Sequence, residues 1–238
     1  MKVFLAGAAG AIGRRLVPLL LGAGHSVTGT TRSPATAKEL ERAGVTPAVL
    51  DIFDAPKVAA AVAAAAPEVI IHQLTDLPRV FDQARIVAAY AANSRIRTEG
   101  TRHLISAAQA AGVRRFIAQG IAFAYAPGGE PHRETDPLNL ADPTRAVTVK
   151  GAVEMERQLL SASGFDAIVL RYGLLYGPGT WYERPVAPAL HVDAAAHAGL
   201  IATTRGAAGI YNIADDDGVV SIAKAQAALG FDPAFRLP

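Results

Sequence analysis

Short apolar runs alternate along the chain with stretches whose apolar residues recur every three or four positions. Val3-Phe4-Leu5-Ala6 is short and continuous, the pattern of a strand buried on both faces of a parallel sheet. Ile12, Leu16, Leu19 and Leu20 then share one side of a helix predicted over Ile12–Leu21, closed by Gly22 and Gly24. The strand pattern returns at His25–Thr31, Thr46–Leu50, Glu68–His72, Arg114–Gln119 and Asp166–Arg171. Helices are predicted between them. They cover Pro34–Ala43, the alanine-rich Val58–Ala66 beyond an Asp54 cap and Pro56, Arg79–Ala111 in two pieces, and Thr148–Ala162. Such alternation predicts an α/β fold, a doubly wound parallel sheet with right-handed crossovers. Residues 126–143 carry Pro-Gly-Gly, Glu-Pro and two Asp-Pro signals and read as a long loop. After Tyr172 the alternation fails, and one more strand is predicted, Gly209–Ile213. The expected organisation is a main domain over 1–171 and a small irregular region over 172–238 that is not an independent domain.

Composition narrows the chemistry. With 51% apolar and 18% charged residues among 238, the chain buries a sizeable core and is not disordered. It has no cysteine, which excludes disulfides, a thiolate zinc site and a cysteine nucleophile. A net charge of +2 gives no electrostatic case for nucleic acid. No stretch approaches the roughly 18 apolar residues of a membrane span, and the first apolar run is too short for a signal peptide. A cytoplasmic protein is expected. The histidines at 25, 72, 103, 132, 191 and 197 show no metal-binding pair, so no metal site is expected.

Gly7-Ala8-Ala9-Gly10-Ala11-Ile12-Gly13 lies between the first strand and the first helix. Gly7 would turn the chain, Gly10 would admit a pyrophosphate, and Gly13 would let helix and sheet pack closely. The helix N-terminus, through Ala11 and Ile12, offers amides and partial positive charge to the phosphates. This context predicts a dinucleotide cofactor. The second strand ends in Thr31-Arg32-Ser33 with no carboxylate for ribose hydroxyls. A guanidinium there suits a 2′-phosphate and the two hydroxyls add donors, so NADPH is favoured, with NADH as the alternative. Asp51 and Ile52 end the third strand and are assigned to adenine. Gln73 and Leu74 follow the fourth and are assigned to the middle of the cofactor.

These residues, with Glu99-Gly100-Thr101-Arg102, Arg171-Tyr172-Gly173, Tyr176-Gly177-Pro178-Gly179 and His191-Val192-Asp193, resemble the extended short-chain dehydrogenase/reductase family. The resemblance covers most of the chain. It implies a Rossmann-like dinucleotide-binding domain over 1–171 with a small substrate-binding region over 172–238, hydride transfer at a nicotinamide, and a Tyr and Lys four residues apart on one helix, assisted by a Ser or Thr. It also places Tyr172 at the cofactor. Here the Lys is assigned to Lys150, for the nicotinamide ribose and polarisation. The Tyr position is Ala146, the Ser/Thr position is Ile121, and Arg97 stands where an Asn is usual. None of Tyr90, Tyr125, Tyr172, Tyr176, Tyr182 or Tyr211 is followed four residues later by Lys.

The cofactor machinery therefore reads as intact and the proton machinery as lost. One reading is a ketoreductase whose proton comes from substrate or water. The segment Gln119–Gly129 is similar to atypical ketoreductases of angucyclinone antibiotic pathways, which implies a polycyclic aromatic polyketide ketone. Phe123, Tyr125, Tyr176 and Trp181, with Tyr182, are the candidate flat aromatic pocket. The other readings are an NADP(H)-binding sensor resembling NmrA-type regulators and a nucleotide-sugar-type epimerase or dehydratase. Asp76, His132 and Glu134 are candidate substitute acids, with exposed loop positions as the plainer reading. The expected partner is a small molecule; nothing in the sequence points to an oligomeric state.

Overall fold

The computed structural model describes residues 1–78, 82 and 84–238. The first half runs β1 Lys2–Ala6, α1 Ala11–Gly22, β2 Ser26–Thr31, α2 Pro34–Arg42, β3 Thr46–Val49, α3 Ala55–Ala65 and β4 Val69–His72. Helix α4 Ile86–Arg95 continues through a π-helical turn, Ile96–Gly100, into α5 Thr101–Ala110. Then come β5 Arg115–Ile121, α6 Ala146–Ser161, β6 Asp166–Tyr172, β7 Leu174–Tyr176, β8 Ala189–His191, α7 Val192–Ile201, β9 Gly209–Ile213 and α8 Ala223–Leu229. The predicted helix start at Arg79 lies outside the described residues.

Seven strands form one parallel sheet in the order β3-β2-β1-β4-β5-β6-β9, and β7 and β8 form a small separate pair. The fold is the expected doubly wound α/β sheet. Alternate strand residues serve opposite faces. Val3, Leu5, Ile71, Ile117 and Ile168 pack with Leu16 and Leu20 of α1 and the alanines of α7. Phe4, Ile70, Phe116 and Val169 pack with Val58, Leu104, Met155 and Leu159 of α3, α5 and α6. Pro47 sits in β3, which is an edge strand, where a missing N–H is tolerated.

Local chemistry sets the helix starts. The Ser33 hydroxyl accepts the Thr36 N–H at 3.3 Å ahead of Pro34. Asp54 caps α3 through the Lys57 N–H at 3.1 Å, so that helix begins three residues before the predicted Val58. The region 172–238 is built into the sheet. Its β9 pairs with β6, and its α7 lies on the same face as α1.

Candidate functional site

The chain reverses its direction of winding between β1 and β4, so a crevice opens at their carboxyl ends. Gly7 lies there with φ +102°, and a Cβ on it would stand 2.7 Å from the Gln73 backbone. A Cβ on Gly13 would stand 2.2 Å from the Gly7 carbonyl oxygen. Gly7 donates its N–H to Thr30 Oγ1 at 3.1 Å, and Gly10 donates to the Gly7 carbonyl at 3.1 Å. No side chain caps α1 and no acid stands in its first turn. Its orphan amides and positive end therefore face the crevice unneutralised. This cradle fits a pyrophosphate.

At the carboxyl end of β2 the hydroxyls turn inward. Thr31 Oγ1 accepts the Ser33 N–H at 3.1 Å, and Ser33 Oγ caps α2. Arg32 donates through Nη2 to Asp76 Oδ1 at 2.7 Å. Asp51 Oδ1 accepts the Phe53 N–H at 3.0 Å, while Ile52 is buried against Gly100 of the π turn.

Beyond β4 the groups are buried and tightly paired. Gln73 Nε2 donates to the Tyr172 hydroxyl at 3.1 Å, and that hydroxyl donates to the Ala195 carbonyl at 3.1 Å. Tyr172 is 1% exposed, and burial pushes its phenol well above the usual range. Its side chain belongs to the core, bonded to Gln73 and Ala195. Leu74 packs on the second core. In α6, Ala146 is partly buried and Ile121 on β5 is buried in a small third cluster. Lys150 is exposed, on the helix side that carries the Glu154–Arg157 pair. Arg97, from the π turn, is buried and donates through Nη1 to the Thr148 carbonyl at 3.3 Å. Burial lowers its pKa to about 10, which leaves it charged at neutral pH. Such turns recur at functional sites.

His72 is fully buried, and its Nδ1 accepts the Leu74 N–H at 3.3 Å, which leaves the proton on Nε2. Burial, and then the Arg97 charge, lower its pKa to about 4. The unfolded chain takes up this proton near pH 6.5 and the folded chain only near pH 4. Stability is therefore retained above the upper value and lost as pH falls between the two, at roughly 1 kcal/mol per pH unit. Denaturant titrations at several pH values should show this slope, and His72→Gln should flatten it. An unchanged slope in the variant would remove the assignment.

The candidate aromatics have separate tasks. Arg145 lies over the Phe123 ring, 5.8 Å from its centroid, and donates to the Phe123 carbonyl at 3.0 Å. The Tyr125 hydroxyl donates to Asn212 Oδ1 at 2.6 Å and accepts from Arg171 Nη1 at 2.9 Å. Its ring stacks on His132 with centroids 5.0 Å apart. Tyr125 thereby takes part in the tether of the 126–143 loop. Glu134 Oε1 accepts the Asn212 N–H at 2.9 Å, and His132 lies in the same bracket. Asp76 Oδ1 accepts from Arg32. Tyr176 accepts from Arg236 at 3.2 Å and meets His191 edge-on. Trp181 Nε1 donates to the Pro78 carbonyl at 2.7 Å, which joins the loops following β7 and β4; Tyr182 is exposed. Among the described residues no cluster of three or more His, Asp or Glu side chains could hold a metal, and no helix is long and apolar enough to cross a membrane.

A glycine cradle at the switch point, an open helix N-terminus and a parallel sheet in this order define a Rossmann-type dinucleotide-binding protein. The chain belongs to the NAD(P)H-binding family, whose model matches residues 7–189. It is 44% identical over 228 residues to a 3-diazoavenalumate denitrifying reductase of a Streptomyces species, covering 94% of this chain and 71% of that protein. It is thus an NAD(P)H-binding, reductase-like protein. Solved structures share the fold. A Thermotoga maritima UDP-glucose 4-epimerase superposes with a TM-score of 0.83 at 18% identity, covering 99% of this chain and 94% of that one. The NAD complex of the Thermus thermophilus UDP-glucose 4-epimerase gives 0.81 at 21% identity, covering 100% and 95%.

Proposed function

We propose that this protein is an NAD(P)H-dependent reductase that delivers hydride to an electrophilic aromatic substrate and asks no tyrosine for a proton. One observation carries this reading: the dinucleotide cradle is complete, while Ala146 and Ile121 are assigned to the positions where short-chain dehydrogenases/reductases, which the chain resembles, carry their proton-handling hydroxyls. The reduced nicotinamide supplies a hydride when bound. Gly7, Gly10 and Gly13 admit the pyrophosphate to the α1 amides, and Lys150 is assigned the nicotinamide ribose. Arg32 is assigned the 2′-phosphate, which favours NADPH.

The lost proton device favours acceptors that need none. An arenediazonium that gains hydride at carbon forms a C–H bond while the C–N electron pair leaves with dinitrogen. No proton enters that balance. The 44% identical reductase, named for denitrifying a diazo compound, supports this substrate class. A second reading is reduction of a polycyclic aromatic polyketide ketone, with the alkoxide protonated by water or by a neighbouring phenol of the substrate. It rests on the Gln119–Gly129 segment, which resembles the simocyclinone 7-ketoreductase. General-acid help from a side chain contributes about 10²–10⁴-fold, which such a substrate can replace.

The test is the purified protein with NADPH and either a diazonium phenol or an anthraquinone ketone. The expected result is nicotinamide oxidation with equimolar dinitrogen released, and no rate gain in Ala146→Tyr. Oxidation by the ketone alone would select the second reading. Cofactor binding without oxidation by either would leave a redox sensor, and conversion of a nucleotide sugar with no net oxidation an epimerase.

A further inference from the structure

Arg32 follows β2 and Asp76 follows β4, and β1 lies between these strands in the sheet. Their 2.7 Å ion pair therefore crosses the end of β1, over the turn at Gly7 where the crevice opens. Asp76 is placed, not loose: its N–H donates at 2.9 Å to Oδ1 of Asn93, a buried residue of α4. Arg32 is the more exposed partner, its side chain 64% exposed against 39% for Asp76.

We propose that Asp76 is a specificity-determining residue for the cofactor, holding the Arg32 guanidinium that a 2′-phosphate must take over. This rests on the assignment of Arg32 to the 2′-phosphate. A guanidinium presents a planar fork that a carboxylate and a phosphate occupy in the same way, so the two acids compete for one partner. The pair is exposed and cheaply exchanged, and a phosphate of higher charge displaces the carboxylate. Asp76 then faces that phosphate with a like charge. The carboxylate thus moderates the preference for NADPH that Arg32 creates. A cofactor without the 2′-phosphate leaves the pair closed.

Calorimetric titration of the full chain with 2′,5′-ADP and with 5′-AMP reads this directly, without turnover. Asp76→Asn keeps the backbone bond to Asn93 and removes the charge. It should tighten 2′,5′-ADP up to about fivefold, which is about 1 kcal/mol, and leave 5′-AMP unchanged. The gain should vanish in the Arg32→Ala, Asp76→Asn double variant and shrink at high salt. If Arg32→Ala discriminates the two ligands as wild type does, the 2′-phosphate assignment fails and the role of Asp76 falls with it. If Arg32→Ala loses discrimination while Asp76→Asn leaves 2′,5′-ADP unchanged, or tightens both ligands equally, the role of Asp76 alone is overturned.

Discussion

Gly13→Ala should reduce NAD(P)H affinity by more than about 100-fold and lower the melting temperature by several degrees. The added methyl would stand 2.2 Å from the Gly7 carbonyl oxygen and 2.6 Å from that of Ala8, both backbone atoms. Neither can retreat easily, since Gly7 is pinned by Thr30 Oγ1 and its carbonyl accepts the Gly10 N–H. Helix α1 must move instead. That loosens Leu16 and Leu20, both fully buried in the first core, at the roughly 1–3 kcal/mol usual for overpacking. For a domain of this size each kcal/mol is worth about 2–4 °C. The moved amides lose their aim at the pyrophosphate. Two charge-assisted hydrogen bonds at about 1.5–3 kcal/mol each account for the affinity loss. Gly10→Ala is the control, because its Cβ would meet the Gly7 oxygen at 3.4 Å. It should crowd the pyrophosphate yet melt close to wild type. Fluorescence titration with NADPH and calorimetry read both quantities. A Gly13→Ala protein that binds within tenfold of wild type would show that the close approach of helix and loop is not what forms the cradle.

The features legible in the sequence are those written in neighbouring residues. Strand β4, Val69–His72, is buried throughout and reads as a continuous apolar run. The glycine loop, the Ser33 and Asp54 caps and the strand Gly209–Ile213 are local patterns too. Helix α7 was not legible because eight of its ten residues are buried. It carries no polar stripe and so no helical period to find. The partners of the site were hidden for another reason. Arg32 meets Asp76 44 positions away, and Tyr125 meets Asn212 87 positions away. A single sequence shows that a guanidinium or a phenol is present, and only the packed sheet shows which one is already engaged. The π turn was equally hidden, since one extra residue in a helical stretch leaves no mark on composition. It is the turn that buries Arg97 against the Thr148 carbonyl.

Arg171→Met should cost about 3–5 kcal/mol of stability while leaving NAD(P)H binding nearly intact. Arg171 donates from Nε and Nη2 to the two Glu156 oxygens at 2.8 and 2.7 Å, and the side chains are only 6% and 7% exposed. Its Nη1 also reaches the Tyr125 hydroxyl and, at 3.2 Å, the Glu134 carbonyl. The pair in isolation is a weak source of stability, because burying two charges offsets most of their attraction. The expected loss comes from what the variant leaves behind: a carboxylate in the core and a loop without its tether. Glu156→Leu added to Arg171→Met should therefore recover much of the stability, since an apolar pair of similar size strands no charge. It should not recover the tether, as Tyr125 and Glu134 still lack their donor. Protease cleavage within 126–143 should stay faster in the double variant than in wild type. NAD(P)H binding should persist in both, because β6 lies three strands from β1 and the partners of Arg171, namely Glu156, Tyr125 and Glu134, lie outside the glycine cradle. A single variant that melts within about 1 kcal/mol of wild type would mean that water reaches Glu156 once the arginine is gone. The loop would then be held by Asn212 and its neighbours and not by the charge beneath it.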